Sequence, residues 1–283
     1  MRTIAIIAAG GVGERLGVPG GKQLLVIAGK PVAAWAIQAV ADARGVDEII
    51  VACDPDRVAD YEEQLQAATT TDKPLRFVAG GMTRTDSIAA ALDQVTAAAE
   101  LILIHDGARP LATAGLVDAA IEALRSAPAE VAGVIVGHPV SDTLKQVGDA
   151  KGDGSEFSIK GTHLLEETDK HTGSFERCVP FMENSEPSPL ASPLIAATVP
   201  REGLWQVQTP QVFRARALRD AYGRANSRGL SATDDAGMLE AAGYELALLT
   251  GPRDNIKVTV AEDIPIAEAL LRARETNEET RSQ

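Results

Sequence analysis

The sequence predicts an α/β fold, a mostly parallel sheet flanked by helices, with an extended β-arm inserted late in the chain. Three observations carry this. The apolar residues are mostly Ala, Val, Ile and Leu, with only 4% aromatics, the composition of a parallel sheet covered on both faces. Short apolar, β-branched runs alternate with stretches of helical periodicity. The first such run, residues 4–8, passes straight into Gly10, Gly11, Gly13 and Gly17. The length, 283 residues, suits one α/β domain plus an insertion, or two small domains.

The elements follow in order. Residues 4–8 read as a buried strand. Pro31 opens a helix over 31–43, with Val32, Trp35, Ala36, Ala39 and Val40 at helical spacing, and Trp35 reads as core. Residues 48–53 form the second strand. Asp54-Pro55 then starts a helix that ends near Gln66, and residues 75–78 form the third strand. A helix runs from the Thr85-Asp86 cap to Ala98. Residues 101–105 are a strongly apolar strand in which His105 is packed. Thr113 caps a helix over 113–125, and a strand follows at 131–137. The chain then leaves the sheet as extended backbone through His138 to Gln146. Order returns at Ala196, and residues 198–213 run back as one strand. Helices cover 215–227 and, capped by Thr233-Asp234-Asp235, the stretch up to Ala242. Residues 245–249 are a strand, 251–259 a turn and a strand, and 261–274 a closing amphipathic helix. The division is therefore a core of 1–137 and 204–275, a β-arm of 138–203, and a polar tail of 276–283.

The stretch from about 148 to 196 differs in character. It is acidic and aperiodic and ends in Asn184-Ser185-Glu186-Pro187-Ser188-Pro189. It reads as a mobile insertion. His163, His171 and Cys178 lie in it without metal-ligand spacing.

Chemistry gathers where strands end. A glycine-rich loop after a strand presents backbone N–H groups to an anion, most often a phosphate. Arg15 and Lys22 add two charges to that cradle. The dinucleotide fingerprint fails because Gly17 comes one residue late, and the P-loop fails because Leu16 and Gln23 stand where glycine and Ser/Thr are needed. What remains is a nucleotidyltransferase-like loop. Gly80-Gly81 with Arg84 and Ser87 forms a second candidate anion or base site. His105-Asp106-Gly107-Ala108-Arg109-Pro110 ends a strand, where open α/β sheets bind ligands. A carboxylate such as Asp106 beside a triphosphate calls for a divalent cation.

The net charge of −13 argues against a nucleic-acid surface. Cys53 and Cys178 are far apart, so a reducing compartment is expected. The N-terminal apolar run is too short for a signal peptide, and no stretch reaches membrane-spanning length. A cytoplasmic protein is expected.

Five stretches in order resemble the 2-C-methyl-D-erythritol 4-phosphate cytidylyltransferases, Rossmann-like nucleotidyltransferases of the non-mevalonate isoprenoid pathway. They are Ala8-Ala9-Gly10-Gly11-Val12-Gly13-Glu14-Arg15 with Lys22-Gln23; Gly80-Gly81-Met82-Thr83-Arg84 with Ser87; His105 to Pro110; Gln208-Thr209-Pro210-Gln211 with Thr233-Asp234-Asp235; and Asn255-Ile256-Lys257-Val258-Thr259. The resemblance implies that CTP and a polyol phosphate react with Mg2+, another divalent cation being able to substitute. Ala8, Ala9, Gly10, Gly13, Gly81, Arg84 and Ser87 would hold CTP, with Arg15 and Lys22 on the triphosphate. Arg15, Lys22, Asp106 and Lys257 would be catalytic, and Asp106 would face the metal. Asp106, Arg109, Thr143, Arg201, Thr209, Thr233 and Lys257 would hold the alcohol phosphate. A homodimer through the β-arm is implied, with the arm of one subunit reaching the other's substrate.

The chain departs from the family at three places: Gly107 stands where alanine is usual, Gly20-Gly21 replaces the proline before Lys22, and the arm is longer. Two other readings compete. A cytidylyltransferase for another polyol phosphate, such as ribitol 5-phosphate, would share the nucleotide loops. A non-catalytic nucleotide-binding protein would not need both Lys22 and Lys257.

Overall fold

The computed structural model describes residues 1–11, 21–148, 194–228 and 234–281. Gly13, Arg15, Thr233, Cys178 and most of the expected insertion lie outside the described residues. The chain divides into two compact units, Met1–Pro139 with Trp205–Gln283, and Val140–Leu204.

The first unit is built on a seven-stranded sheet. Its strands are β1 (Thr3–Ala8), β4 (Glu48–Cys53), β5 (Leu75–Ala79), β6 (Leu101–Asp106), β7 (Val131–Pro139), β10 (Trp205–Arg214) and β11 (Glu245–Thr250). A two-residue pair, β2 (Val26–Ile27) and β3 (Lys30–Pro31), stands apart from it. The sheet order is β11-β7-β10-β6-β1-β4-β5. Only β10 runs against its neighbours. Ala8 pairs with Asp106 at the ends of β1 and β6, on either side of which the chain winds in opposite senses. Such a reversal opens a crevice beyond the strand ends.

Alternation on β1 shows how the two faces are covered. Ala5 and Ile7 pack on the face held by α1 (Val32–Asp42), α2 (Val58–Ala68) and α4 (Ala114–Ser126). Ile4 and Ile6 join the opposite cluster, with α3 (Arg84–Asp93), α5 (Ala215–Arg228) and α6 (Asp235–Ala241). Every residue of β4 and β6 is buried, so these strands carry continuous apolar runs. The closing helix α7 (Asp263–Arg281) packs Ala267 and Leu271 against Ile27, Val32, Leu111 and Val258. Trp35 lies partly buried beside this cluster. Its Nε1 donates to the Ile27 carbonyl, and the Lys30 ammonium stands 4.9 Å from its ring.

Several expected boundaries shift. The helix expected from Asp54-Pro55 begins as a single 3₁₀ turn, Pro55–Arg57, before α2. The α3 cap is Thr83, in a capping box with Asp86, not Thr85 or Asp86. That helix stops at Asp93, where the Gln94 and Val95 amides bond three residues back instead of four. The single strand expected at 198–213 is two. A turn breaks it, with the Leu204 amide donating to the Arg201 carbonyl and Gly203 at φ +79°, a conformation that favours glycine at this turn position. Residues 255–259 form no strand. They are held by the Pro252 turn and by the Val258 amide donating to the Ala108 carbonyl. α7 runs on through most of the expected tail.

The second unit contains a ladder of β8 (Leu144–Gly148) and β9 (Leu194–Val199). β9 starts two residues before the expected return of order at Ala196.

Candidate active site

The site is assembled from the carboxyl ends of β1, β4, β5 and β6. Ala8, Gly10, Lys22, Gly81, Arg84, Ser87, Asp106 and Lys257 line one cavity of about 470 Å3. All eight were singled out from the sequence. The lining residues Asp54 and Asp56 carry no site signal in the sequence, and Met82 and Ala108 stand in the quoted motifs without a role of their own. Asp54 reads as a helix start, and Met82 and Ala108 carry no charge.

The β5–α3 loop is held tightly. The Gly80 amide donates to the Cys53 carbonyl at 2.7 Å. A Cβ on Gly81 would lie 2.3 Å from that of Asp86, and one on Gly80 would lie 2.7 Å from Ser87 Oγ, so only glycine fits at either position. Ser87 Oγ accepts from the Gly81 amide at 3.1 Å and donates to the Thr83 carbonyl at 2.9 Å. Ser87 thus shapes the loop, and the loop presents backbone to the cavity.

Asp106 is the centre of the charged part. Its carboxylate lies 2.8 Å from Lys257 Nζ, 3.3 Å from Arg84 Nε and 3.6 Å from Arg109 Nε. Burial alone would raise its pKa. Arg84, then Lys257 and Arg109, outweigh burial and hold the carboxyl well below the usual carboxylate range. Arg84 also pairs with Asp235 at 2.7 Å. Lys22 lines the same cavity, where its Nζ donates to the Val258 carbonyl at 3.1 Å, and Asp54 and Asp56 line it too, so cations and carboxylates alternate around the cavity. In a protein of charge −13, Lys22, Arg84 and Lys257 are thus gathered at one cavity.

Two residues assigned to the alcohol phosphate are found behind Asp106. Arg109 donates from Nη1 to the Asn255 carbonyl at 2.8 Å. Thr209 is buried. Its Oγ1 accepts from the Asp106 amide at 3.0 Å and shares a hydrogen bond with His105 Nδ1 at 3.0 Å. Burial pushes His105 down to about 4, so the ring is neutral. Asn255 Nδ2 donates to the Thr209 carbonyl at 2.8 Å. These bonds link β6, β10 and the segment that carries Lys257. The spacing of 151 residues between Asp106 and Lys257 is closed by this scaffold. Ala9 is buried, with its amide on the Ala52 carbonyl, so it supports the loop from behind.

Thr143 and Arg201 belong to the second unit. Both are exposed, and the Arg201 guanidinium donates to the Ser141 carbonyl. Among the described residues no group of three or more His, Cys, Asp or Glu side chains could hold a metal.

The family model for 2-C-methyl-D-erythritol 4-phosphate cytidylyltransferase (IspD) matches residues 3–163 and 162–273. A protein of that name from a Synechococcus strain is 35% identical over 273 residues, covering 95% of this chain and 96% of the relative. The one from Thermosynechococcus vestitus is 32% identical, covering 97% of each. The crystal structure of 2-C-methyl-D-erythritol 4-phosphate cytidylyltransferase from Thermus thermophilus superposes with a TM-score of 0.65 at 28% identity, covering 96% of this chain and all of that one. The Rossmann-like sheet, the crevice that gathers Lys22, Arg84 and Lys257 around Asp106 and these matches agree, and the chain belongs to the 2-C-methyl-D-erythritol 4-phosphate cytidylyltransferase family.

Proposed function

We propose that the chain joins CTP to 2-C-methyl-D-erythritol 4-phosphate, giving 4-diphosphocytidyl-2-C-methyl-D-erythritol and pyrophosphate in non-mevalonate isoprenoid synthesis. The observation that carries this reading is the Asp106–Lys257 pair at 2.8 Å in a cavity also lined by Lys22 and Arg84. The attacking phosphate is already ionised near neutral pH and needs no general base. The enzyme must bring two anions together in line and stabilise the crowded α-phosphorus. Lys22 and Lys257 face the cavity for that task, and Arg15 is assigned to the same loop. The glycine loops, with Gly10 and Gly81 on the cavity wall, hold the nucleotide through backbone groups.

Mg2+ takes one or two carboxylates together with phosphate oxygens and water. Asp106, ionised and lining the cavity, fits that donor set, and another divalent cation of similar preference would serve. The bound ion would neutralise triphosphate charge. Thr209 and Arg109 keep the Asp106 backbone and side chain in place for both substrates.

The second unit supports a homodimer. Its ladder leaves Val147 and Ile195 exposed, and a two-stranded ladder is marginal alone. In this reading two arms exchange about a two-fold axis, and Thr143 and Arg201 serve the partner's alcohol phosphate. No helix among the described residues is long and apolar enough to cross a membrane. Cys53 is a buried free thiol, which suits the cytoplasm.

Pyrophosphate release tests the reading, with CTP and each of 2-C-methyl-D-erythritol 4-phosphate and ribitol 5-phosphate. CTP with the first is expected to turn over at least tenfold better than any other pairing, a margin of about 1.4 kcal/mol. Equal turnover with ATP or GTP would sink the cytidylyl assignment. Preference for ribitol 5-phosphate would transfer the chain to the other polyol reading.

A further inference from the structure

We propose that Asp235 and Tyr222 are positioning residues that set where Arg84 points in the nucleotide cavity. This rests on the nucleotide-binding reading above. Arg84, the first residue of α3, spans two carboxylates on different elements. Its Nε lies 3.3 Å from Asp106 Oδ1, and its Nη2 lies 2.7 Å from Asp235 Oδ2. Asp235, the first residue of α6, is fully buried, and its Oδ1 accepts from Tyr222 Oη at 2.6 Å. Burial, with Asp235 beside it, keeps the Tyr222 phenol protonated far above its ordinary range, so it remains a donor.

The anchor of Asp235 is itself fixed. Asp234 caps α6 by accepting from the Gly237 amide at 2.9 Å, and Gln211 Nε2 on β10 donates to Asp234 Oδ2 at 3.1 Å. The position of Asp235 is thereby tied to the central sheet.

Stability alone does not call for this arrangement. A buried ion pair costs so much desolvation that well-packed apolar residues often do as well or better. Geometry gives the other reason. A guanidinium beside a single carboxylate settles into a bidentate fork. Arg84 in that pose would cover Asp106 and compete with Lys257 at 2.8 Å. Asp235 draws the Nη2 corner away, so that Arg84 meets Asp106 through Nε only. The Nη1 corner has no protein partner among the described residues and is left for the anion. Asp235 thus acts on the nucleotide through Arg84, touching neither substrate nor metal.

A double-mutant cycle on Arg84 and Asp235 tests this, read by CTP binding calorimetry and by steady-state kinetics. D235N is expected to weaken CTP binding and raise its KM by ten- to a hundredfold. The KM for the alcohol phosphate should change by less than twofold. In an R84Q background, D235N should add less than twofold, because the residue it positions is gone. Y222F should act in the same direction by several-fold, with the same loss of effect in R84Q, and it carries the test if D235N fails to fold. Effects that multiply across the cycle would overturn the proposal, as would a shift confined to the alcohol phosphate. The calorimetric arm needs no turnover. If the wild type binds CTP but releases no pyrophosphate, the function reading fails while the cycle still decides the role of Asp235.

Discussion

The seven-stranded sheet and the β8–β9 ladder use similar residues under opposite conditions. In the sheet, β4 is Glu-Ile-Ile-Val-Ala-Cys and every position is buried, because helices cover both faces. In the ladder, Val147 and Ile195 pair across the strands and remain 54% and 64% exposed. The first region supplies its own cover and holds Asp106, Arg84 and Lys257 at fixed distances. Among the described residues of the second, Thr143 and Arg201 are both exposed. The difference teaches that Asp106, Arg84 and Lys257 are held by packing within one unit, whereas the proposed exchange of arms would give the exposed ladder a surface to pack on. Changes in the sheet should therefore be felt in folding, and changes in the arm in association.

The largest expected effect is in the sheet. Phe213 on β10 is fully buried with Ile102, Ile135 and Leu218. Gly133 faces it so closely that a Cβ there would lie 2.5 Å from the ring. Phe213→Ala should cost about 3–5 kcal/mol of unfolding free energy in denaturant titration. Ile195→Ala in the ladder should cost far less. Equal losses would erase the distinction between the two regions.

Next is a test of shared sites. Lys22→Ala and Arg201→Ala should each lower kcat by roughly a hundred- to a thousandfold, the usual worth of one electrostatic contact to a transition state. Mixing the two inactive proteins under subunit exchange should restore activity, because each mixed dimer holds one site with both side chains intact. If both variants fold, exchange and recover nothing, the arm serves its own chain.

These tests also mark how far the sequence could be read. The strands were legible because buried parallel strands are continuous apolar runs ended by glycine, aspartate or proline. The cap at Thr113 and the helix start at Asp234-Asp235 followed from local chemistry. Breaks that depend on a single backbone angle were not legible. Gly203 at φ +79° splits one expected strand into two. Nor does the sequence show that the strand expected at 255–259 has no sheet edge to join. In the site, the eight cavity residues lie in loops or at the strand and helix ends that flank them, in stretches whose composition stands out. Their supports did not stand out. Thr209 reads like a substrate hydroxyl, yet its oxygen is committed to the Asp106 amide and His105. Asp235 reads like part of a cap, and only the fold brings it to Arg84 and Tyr222. Long-range polar pairing leaves no periodic trace in a sequence.

The smallest expected effect comes from making one substitution in both regions. Val51 sits on β4 between Ile7 and Phe77, fully buried. Val51→Thr puts a hydroxyl among apolar side chains and should cost about 1–3 kcal/mol. Val147→Thr makes the same change on the exposed ladder. Its effect on unfolding should stay within about 0.5 kcal/mol, as at other surface positions. If the arm packs on a partner, the cost appears in association instead. Exchanging a methyl for a hydroxyl in a newly buried contact is worth ~1 kcal/mol, or roughly a fivefold rise in the dimer dissociation constant by sedimentation. Unfolding losses as large as those of Val51→Thr would mean that the ladder is buried within its own chain. No change in either measurement would mean that Val147 faces water in the working protein, and that the dimer contact must be sought on another face of the arm.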